Sequence, residues 1–185
     1  MKNKGYNKYE DYSNLSKSER KEMWGYPPFT EWVWKSYDNV NTVDIDEFVA
    51  RHLKTRLTEP HFYIGTDSQT RKGKTTLTTA LIAYHMGKGG NIIIHTQKVP
   101  NFTSLRQKLI AEAMRSLETA WYTDPLIPES STIVIHVDVN PNLRWGSGPY
   151  KDELVGMIVA QGFKLSIKPN AWGSSKVADK KCRKY

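Results

Sequence analysis

From residue 61 onward the chain switches between runs of apolar, β-branched residues and short polar breaks. "HFYIGTDSQT" (61–70), "KTTLTTALIAYHM" (74–86) and "GNIIIHTQKV" (90–99) are separated by "RKG" and "GKGG". β-Branched and aromatic enrichment between Gly-marked turns predicts three strands joined by hairpins, an antiparallel meander. The period then changes. Phe102, Leu105, Leu109, Ala113, Leu117, Ala120 and Trp121 recur at helical spacing and predict a helix over Thr103–Trp121. "TDPLIPESS" reads as a Pro-marked loop, and "STIVIHVDVN" (131–140) as a strand apolar enough to be central. A loop, a helix in "KDELVGMIVAQG", a strand in "FKLSIKP" and a short tail helix from about Ser174 complete the order β-β-β-α-β-α-β-α. That order predicts an α/β fold with a mixed sheet and helices packed on it.

Before residue 60 the pattern differs. "TVDIDEFVARHLKTR" carries Ile45, Phe48, Val49 and Leu53 on one helical stripe, with Thr42 or Asp44 as cap and Glu47 three residues after Asp44. "WGYPPFTEWVWKSY" (24–37) holds three Trp, two Tyr and one Phe, and its prolines predict an extended lead into a short helix. So much aromatic surface has to dock, on the chain's own core first, or on stacked bases or a second copy in a homodimer. Residues 1–23 are polar, an arm or a short polar helix. The expected division is therefore an N-terminal helical, aromatic-rich extension over 1–59 and a sheet domain over 60–185.

Composition narrows the partner. Lys and Arg number 27 against 19 Asp and Glu, a net charge of +8, which favours nucleic acid or another polyanion. A lone cysteine, Cys182, excludes a disulfide framework and a Cys-based zinc site. No run approaches the ~20 apolar residues of a membrane span, and the N-terminus lacks the apolar segment of a secretory signal, so a cytoplasmic protein is expected. "RKGKTT" imitates part of a P-loop. However, Ser68 stands where the pattern needs the first Gly, and a strand follows instead of a helix.

The acids carry the chemistry. Asp67 interrupts a half-buried strand, where an ionised carboxylate is costly unless something pairs with it or binds it. Strand alternation puts Tyr63, Gly65 and Gln69 on its face, and Gly65 leaves room beside it. In "STIVIHVDVN" the same alternation puts Val134, His136, Asp138 and Asn140 on one face and only apolar residues on the other. The helix between these strands offers Glu112 at one margin of its apolar arc and Glu118 at the other, and periodicity does not choose between them. Asp179 lies in the basic tail "SSKVADKK", where pairing with Lys176 or Lys180 is the plainer reading.

Acids on the first sheet strand, the following helix, the fourth strand and the C-terminal segment resemble the ribonuclease H-like superfamily. "IGTDSQ", "GKGG", "HVDVN" and "GFKLSIKPNAWGSSKVAD" resemble its YkuK-type branch over roughly residues 40–185. The resemblance implies a ribonuclease H-like sheet with the fourth strand beside the first, and favours Glu112 over Glu118. It also implies acids that hold two divalent metals, Mg²⁺ or Mn²⁺, and hydrolysis of phosphodiester bonds in RNA, an RNA–DNA hybrid or structured, branched DNA. Two such ions about 3.5–4 Å apart activate a water and stabilise the leaving oxygen. The expected metal ligands are Asp67 (bridging), Glu112, Asp138 and Asp179. His136 or Asn140 is expected to orient water or a phosphate, with Ser68, Gln69, Lys168 and Lys176 on the nucleic-acid backbone. The competing expectation is a catalytically inactive nucleic-acid-binding or protein-interaction module. A small-molecule phosphate enzyme is disfavoured by the charge and by the lack of a phosphate-cradling Gly loop.

Overall fold

The computed structural model describes residues 29–55, 58–144 and 146–182. Residues 1–23, expected as an arm, and the start of the aromatic stretch lie outside them. The chain forms two compact units, Met1–Trp32 and Val33–Tyr185. In the first, Phe29–Glu31 is a single 3₁₀ turn closed by the Trp32 N–H on the Phe29 carbonyl at 2.9 Å. The Phe29 and Trp32 rings tilt against each other at 4.8 Å.

The second unit is built on six strands: β1 (Trp34–Ser36), β2 (His61–Arg71), β3 (Lys74–His85), β4 (Gly89–Val99), β5 (Thr132–Val137) and β6 (Lys164–Ile167). Their order in the sheet is β1-β4-β3-β2-β5-β6. β2, β3 and β4 are the antiparallel meander, and β5 joins β2 in parallel, followed by β6 in parallel. Lys72 and Gly73 both have positive φ (47° and 77°) in the two-residue turn between β2 and β3. Positive φ at both positions matches the strand twist and fixes the register, and Gly adopts it without steric penalty.

Four helices complete the unit: α1 (Ile45–Lys54), α2 (Leu105–Thr123), α3 (Lys151–Val159) and α4 (Asp179–Cys182), the last entered through a π-helical turn over Gly173–Ala178. α1 starts at Asp44, whose carboxylate accepts the Glu47 N–H at 2.9 Å, one of the two expected caps. α2 starts at Ser104, which accepts the Gln107 N–H.

Alternation sorts the sheet into two layers. Thr66 and Ser68 bond to Ser116 and Glu112 of α2, so the Phe62, Ile64, Thr66 and Ser68 side of β2 faces that helix. Ile133, Ile135 and Val137 of β5 share this side and are buried, as are Leu109, Ala113 and Leu117 of α2. Each such Leu, Ile or Phe contributes roughly 1.5–3 kcal/mol by leaving water. The opposite side is covered by the tail, where Ala80, Ile82 and Ile94 pack with Val177 and Ala178.

Two expectations change. Trp34–Ser36 does not continue a helix but pairs with Ile93–His95 as the edge strand β1. Its aromatic residue is thus used inside this chain's own sheet, and a dimer contact through 24–37 has no support. β5 stops at Val137 rather than reaching Asn140, which leaves Asp138 just beyond the strand.

Candidate functional site

Unequal strand lengths create the site. Parallel pairing of β2 with β5 ends at Gly65↔His136, yet β2 runs on to Arg71 with only β3 beside it. Asp67 therefore lies on β2 just where its other neighbour has stopped. Crevices beyond the carboxyl ends of parallel strands are the usual binding places of α/β sheets. Asp138 follows the end of β5, two residues past His136 as Asp67 is two past Gly65. Glu112 arrives from α2 on one side of the sheet, and Asp179, the first residue of α4, from the other.

Asp67 is only 7% exposed and Glu112 only 5%. Burial pushes the Asp67 carboxyl up to about 6. Lys108 and the Ser68 backbone N–H hold it down, while Asp138 and Asp179 push it further up. Burial likewise pushes Glu112 up to about 8, with Lys108 and the Ser68 hydroxyl opposing and Asp67 and Asp138 adding to the rise. All four expected acids thus act on one electrostatic centre. Two lysines share it: Lys108 Nζ lies 3.6 Å from Glu112 Oε1, and Lys168 Nζ lies 2.8 Å from Asp138 Oδ1.

The surroundings hold these groups by hydroxyls and one thiol. Ser68 Oγ donates to Glu112 Oε1 at 2.7 Å. Thr66 Oγ1 is 3.0 Å from Thr79 Oγ1 and 2.9 Å from Ser116 Oγ. Cys182 Sγ donates to the Asp67 carbonyl at 3.0 Å, and burial pushes this thiol up to about 12, so it stays a donor. Lys108, Thr66, Ser116 and Cys182 were not among the expected residues. Only Lys108 has a signal in the sequence, four residues before Glu112 on one helix face.

The remaining expected residues fall in different places. The Ser68 hydroxyl is committed to Glu112. Gln69 is half-buried, its Oε1 3.5 Å from an Arg71 guanidinium nitrogen. Asn140 shapes the loop after β5: its Oδ1 accepts the Asn142 N–H at 2.9 Å, and its own N–H reaches Ser147 Oγ at 3.0 Å. Lys176 is exposed on the π-helical turn. His136 is 2% exposed, packed between the Tyr63 ring at 5.0 Å and the Trp172 ring at 5.2 Å. Its Nδ1 accepts the Gly173 N–H at 2.8 Å, and desolvation pulls its pKa down to about 4. The proton of this neutral ring is accordingly on Nε2. Here His136 clamps the start of the tail that carries Asp179. A Cβ on residue 173 would come within 2.6 Å of that nitrogen, so the clamp requires glycine.

Among the described residues no three His, Cys, Asp or Glu side chains stand together closely enough to hold a metal ion. The donor set nevertheless fits Mg²⁺ or Mn²⁺ in kind: every acid offers hard oxygen, and the carboxyls of Asp67 and Glu112 are raised by burial and by neighbouring acids, a cost a dication relieves. Among the described residues, no helix is long and apolar enough to cross a membrane.

No curated protein matches this chain. The crystal structure of RNase H1 from the halophilic archaeon Halobacterium salinarum NRC-1 is similar at 15% identity, covering 68% of this chain and 98% of that one with a TM-score of 0.38. The family model described as Ribonuclease H-like matches residues 42–183, nearly all of the sheet unit. By that match, and in agreement with the order of strands and acids above, the chain belongs to the ribonuclease H-like family.

Proposed function

We propose that the protein is a metal-dependent nuclease that hydrolyses phosphodiester bonds of RNA, an RNA–DNA hybrid or branched DNA. The observation that supports this reading is electrostatic: where β5 ends and β2 continues, Asp138 and Asp179 raise the buried Asp67 carboxyl, and Asp67 and Asp138 raise that of Glu112. Asp67 and Glu112 are too buried to be solvated surface acids, and the Lys108 ammonium, 3.6 Å from Glu112 Oε1, offsets only part of what burial does to them. Asp67, Glu112, Asp138 and Asp179 would hold the ions. When bound, Mg²⁺ or Mn²⁺ supplies Lewis-acid charge to the phosphodiester oxygens.

The chain's own groups do the rest. Ser68 fixes the Glu112 carboxylate, and Cys182 fixes the backbone of Asp67 against α4. Lys108 and Lys168 place positive charge beside the acids, where a phosphate backbone would otherwise be repelled. Lys176 extends that charge along the tail. The net charge of +8 supports the polyanionic substrate.

A second reading is favoured by one observation: Lys168 and Lys108 stand on two of the expected ligands, as in a catalytically inactive module that keeps the fold. One experiment separates the two. Labelled hybrid, single-stranded RNA and branched DNA are incubated with the full chain and Mg²⁺ or Mn²⁺, beside Asp67→Asn. Cleavage by the wild-type chain and its loss in Asp67→Asn support the nuclease. Absence of cleavage on all three substrates leaves the binding module.

A further inference from the structure

The side of β2 that carries Asp67 also carries Gly65, Tyr63 and His61, in that order toward the start of the strand. Register extends the row sideways. Tyr63 pairs with Val134 of β5, which pairs with Lys164 of β6, and His61 pairs with Tyr84 of β3. The rings form one patch: Tyr63 is 6.5 Å from His61 and stacked on it, 6.2 Å from Tyr84 and 5.2 Å from Trp172. All four rings are partly buried, Tyr63 and Trp172 resting on the core cluster beneath, and each keeps some surface open to solvent. The tail crosses this face, since Gly173 sits against His136 and Ile82, and it contributes Trp172 to the patch and Asp179 to the acids.

Lys164 and Ser166 of β6 share this same side, about 6.6 Å apart by strand geometry, and Lys168 follows one residue past the end of the strand. Lys168 ends the row at Asp138, and Lys164, which is exposed, begins it beside Val134. A cationic rim thus runs from the acids to the aromatic patch.

We propose that this edge and patch bind a single-stranded nucleic-acid segment leaving the acid centre, with phosphates along Lys164, Ser166 and Lys168 and bases stacked on Tyr63, Tyr84 and Trp172. Stacking platforms beside a basic groove are how proteins hold single strands without reading sequence. The partner's chemistry follows from the pairing of features: rings alone would suit an apolar protein surface, but the lysine rim requires a polyanion that also presents flat faces. This inference rests on the proposed action of the acids on nucleic acid.

The test is binding without metal, so cleavage does not enter it. Fluorescence anisotropy in EDTA compares the full chain on a labelled oligothymidine of about 12 nucleotides with an abasic strand of equal length. Stacking predicts that the base-bearing strand binds at least about tenfold tighter. Tyr84→Leu should shrink that ratio about fivefold. Lys164→Gln should weaken both strands alike and lower the salt slope by about 1. Equal binding of the two strands by the wild-type chain overturns the proposal, and this comparison needs no variant to fold. An unchanged ratio in a Tyr84→Leu chain that melts normally overturns it too. If the wild-type chain cuts nothing yet keeps the ratio, the nuclease reading fails and the single-strand track stands.

Discussion

Lys168 Nζ lies 2.8 Å from Asp138 Oδ1, so the lysine that ends the row along the sheet edge also occupies one of the acids of the site. The ammonium offsets the Asp138 charge and competes with any dication for the same oxygen. Partly exposed pairs of this kind contribute about 1 kcal/mol or less. Lys168→Gln should therefore bind Mn²⁺ up to about fivefold tighter in calorimetry, that energy expressed as affinity. Binding of a noncleavable oligonucleotide should weaken in the same variant. Weaker Mn²⁺ binding in Lys168→Gln would show that the lysine supports the ion instead of competing with it.

The acids should cost stability in the metal-free chain. The carboxyls of Glu112 and Asp67 are pushed up to about 8 and about 6, above their ordinary values of 4.5 and 3.8, so the folded chain holds these protons more tightly than the unfolded one. Stability is then lost as pH rises from about 4 toward 8. Glu112→Gln keeps an acceptor for Ser68 and removes the charge. It should gain on the order of 2 kcal/mol at pH 8, roughly 5 °C in melting temperature, and little at pH 5. Asp67→Asn should behave likewise with a smaller gain. Added Mg²⁺ should raise the melting temperature of the wild-type chain but not of Asp67→Asn. A Glu112→Gln chain that melts below wild type at pH 8 contradicts this account.

Beneath the acids, Thr66 joins three elements through one hydroxyl, bonding Thr79 on β3 and Ser116 on α2. Thr66→Val keeps the shape and removes the bonds, leaving two buried hydroxyls short of a partner. Such a loss costs about 1–3 kcal/mol. Because Ser116 is one turn from Glu112, the variant should also loosen α2 near the site. Hydrogen exchange at Glu112–Ser116 should quicken more than at the C-terminal end of α2, and uniform protection along the helix would count against this linkage.

What was legible in the sequence follows from what has a period. The meander, α2 and the Asp44 cap were readable because alternation, helical spacing and cap chemistry are local. The choice between Glu112 and Glu118 was not, since both sit at margins of one apolar arc. The partners of the two acids differ through long-range packing. Arg115 is 1% exposed and takes Glu118 at 2.6 Å, whereas Ser68 takes Glu112. The end of β5 was equally hidden. "HVDVN" alternates smoothly to Asn140, but pairing stops where the loop shaped by Asn140 and Ser147 begins. The role of His136 depends on Gly173, 37 residues away, a contact no local pattern encodes.

That contact makes the last prediction. His136 Nδ1 accepts the Gly173 N–H, and the ring stays neutral because burial lowers its pKa from 6.5 to about 4. The folded chain thus binds this proton less readily than the unfolded one, so its contribution is full above about pH 6.5 and is lost as pH falls toward 4. His95, pulled down to about 4 by its own burial, adds a similar loss over the same range. His136→Phe fills the space between Tyr63 and Trp172 but leaves a buried N–H unpaired, which costs about 1–3 kcal/mol. It should melt lower at pH 7, and the histidine contribution to its decline between pH 6.5 and 4 should be smaller than in wild type, with His95 and His52, both lowered by burial, remaining. Gly173→Ala should resemble it at pH 7, because its Cβ would lie 2.6 Å from His136 Nδ1 and 3.3 Å from Ile82 Cδ1 and force the tail to move. Under the proposed nuclease function both variants should cleave more slowly than wild type even where fully folded, since Asp179 rides on that tail. Unchanged cleavage by folded Gly173→Ala would mean that the position of the tail does not govern the acids.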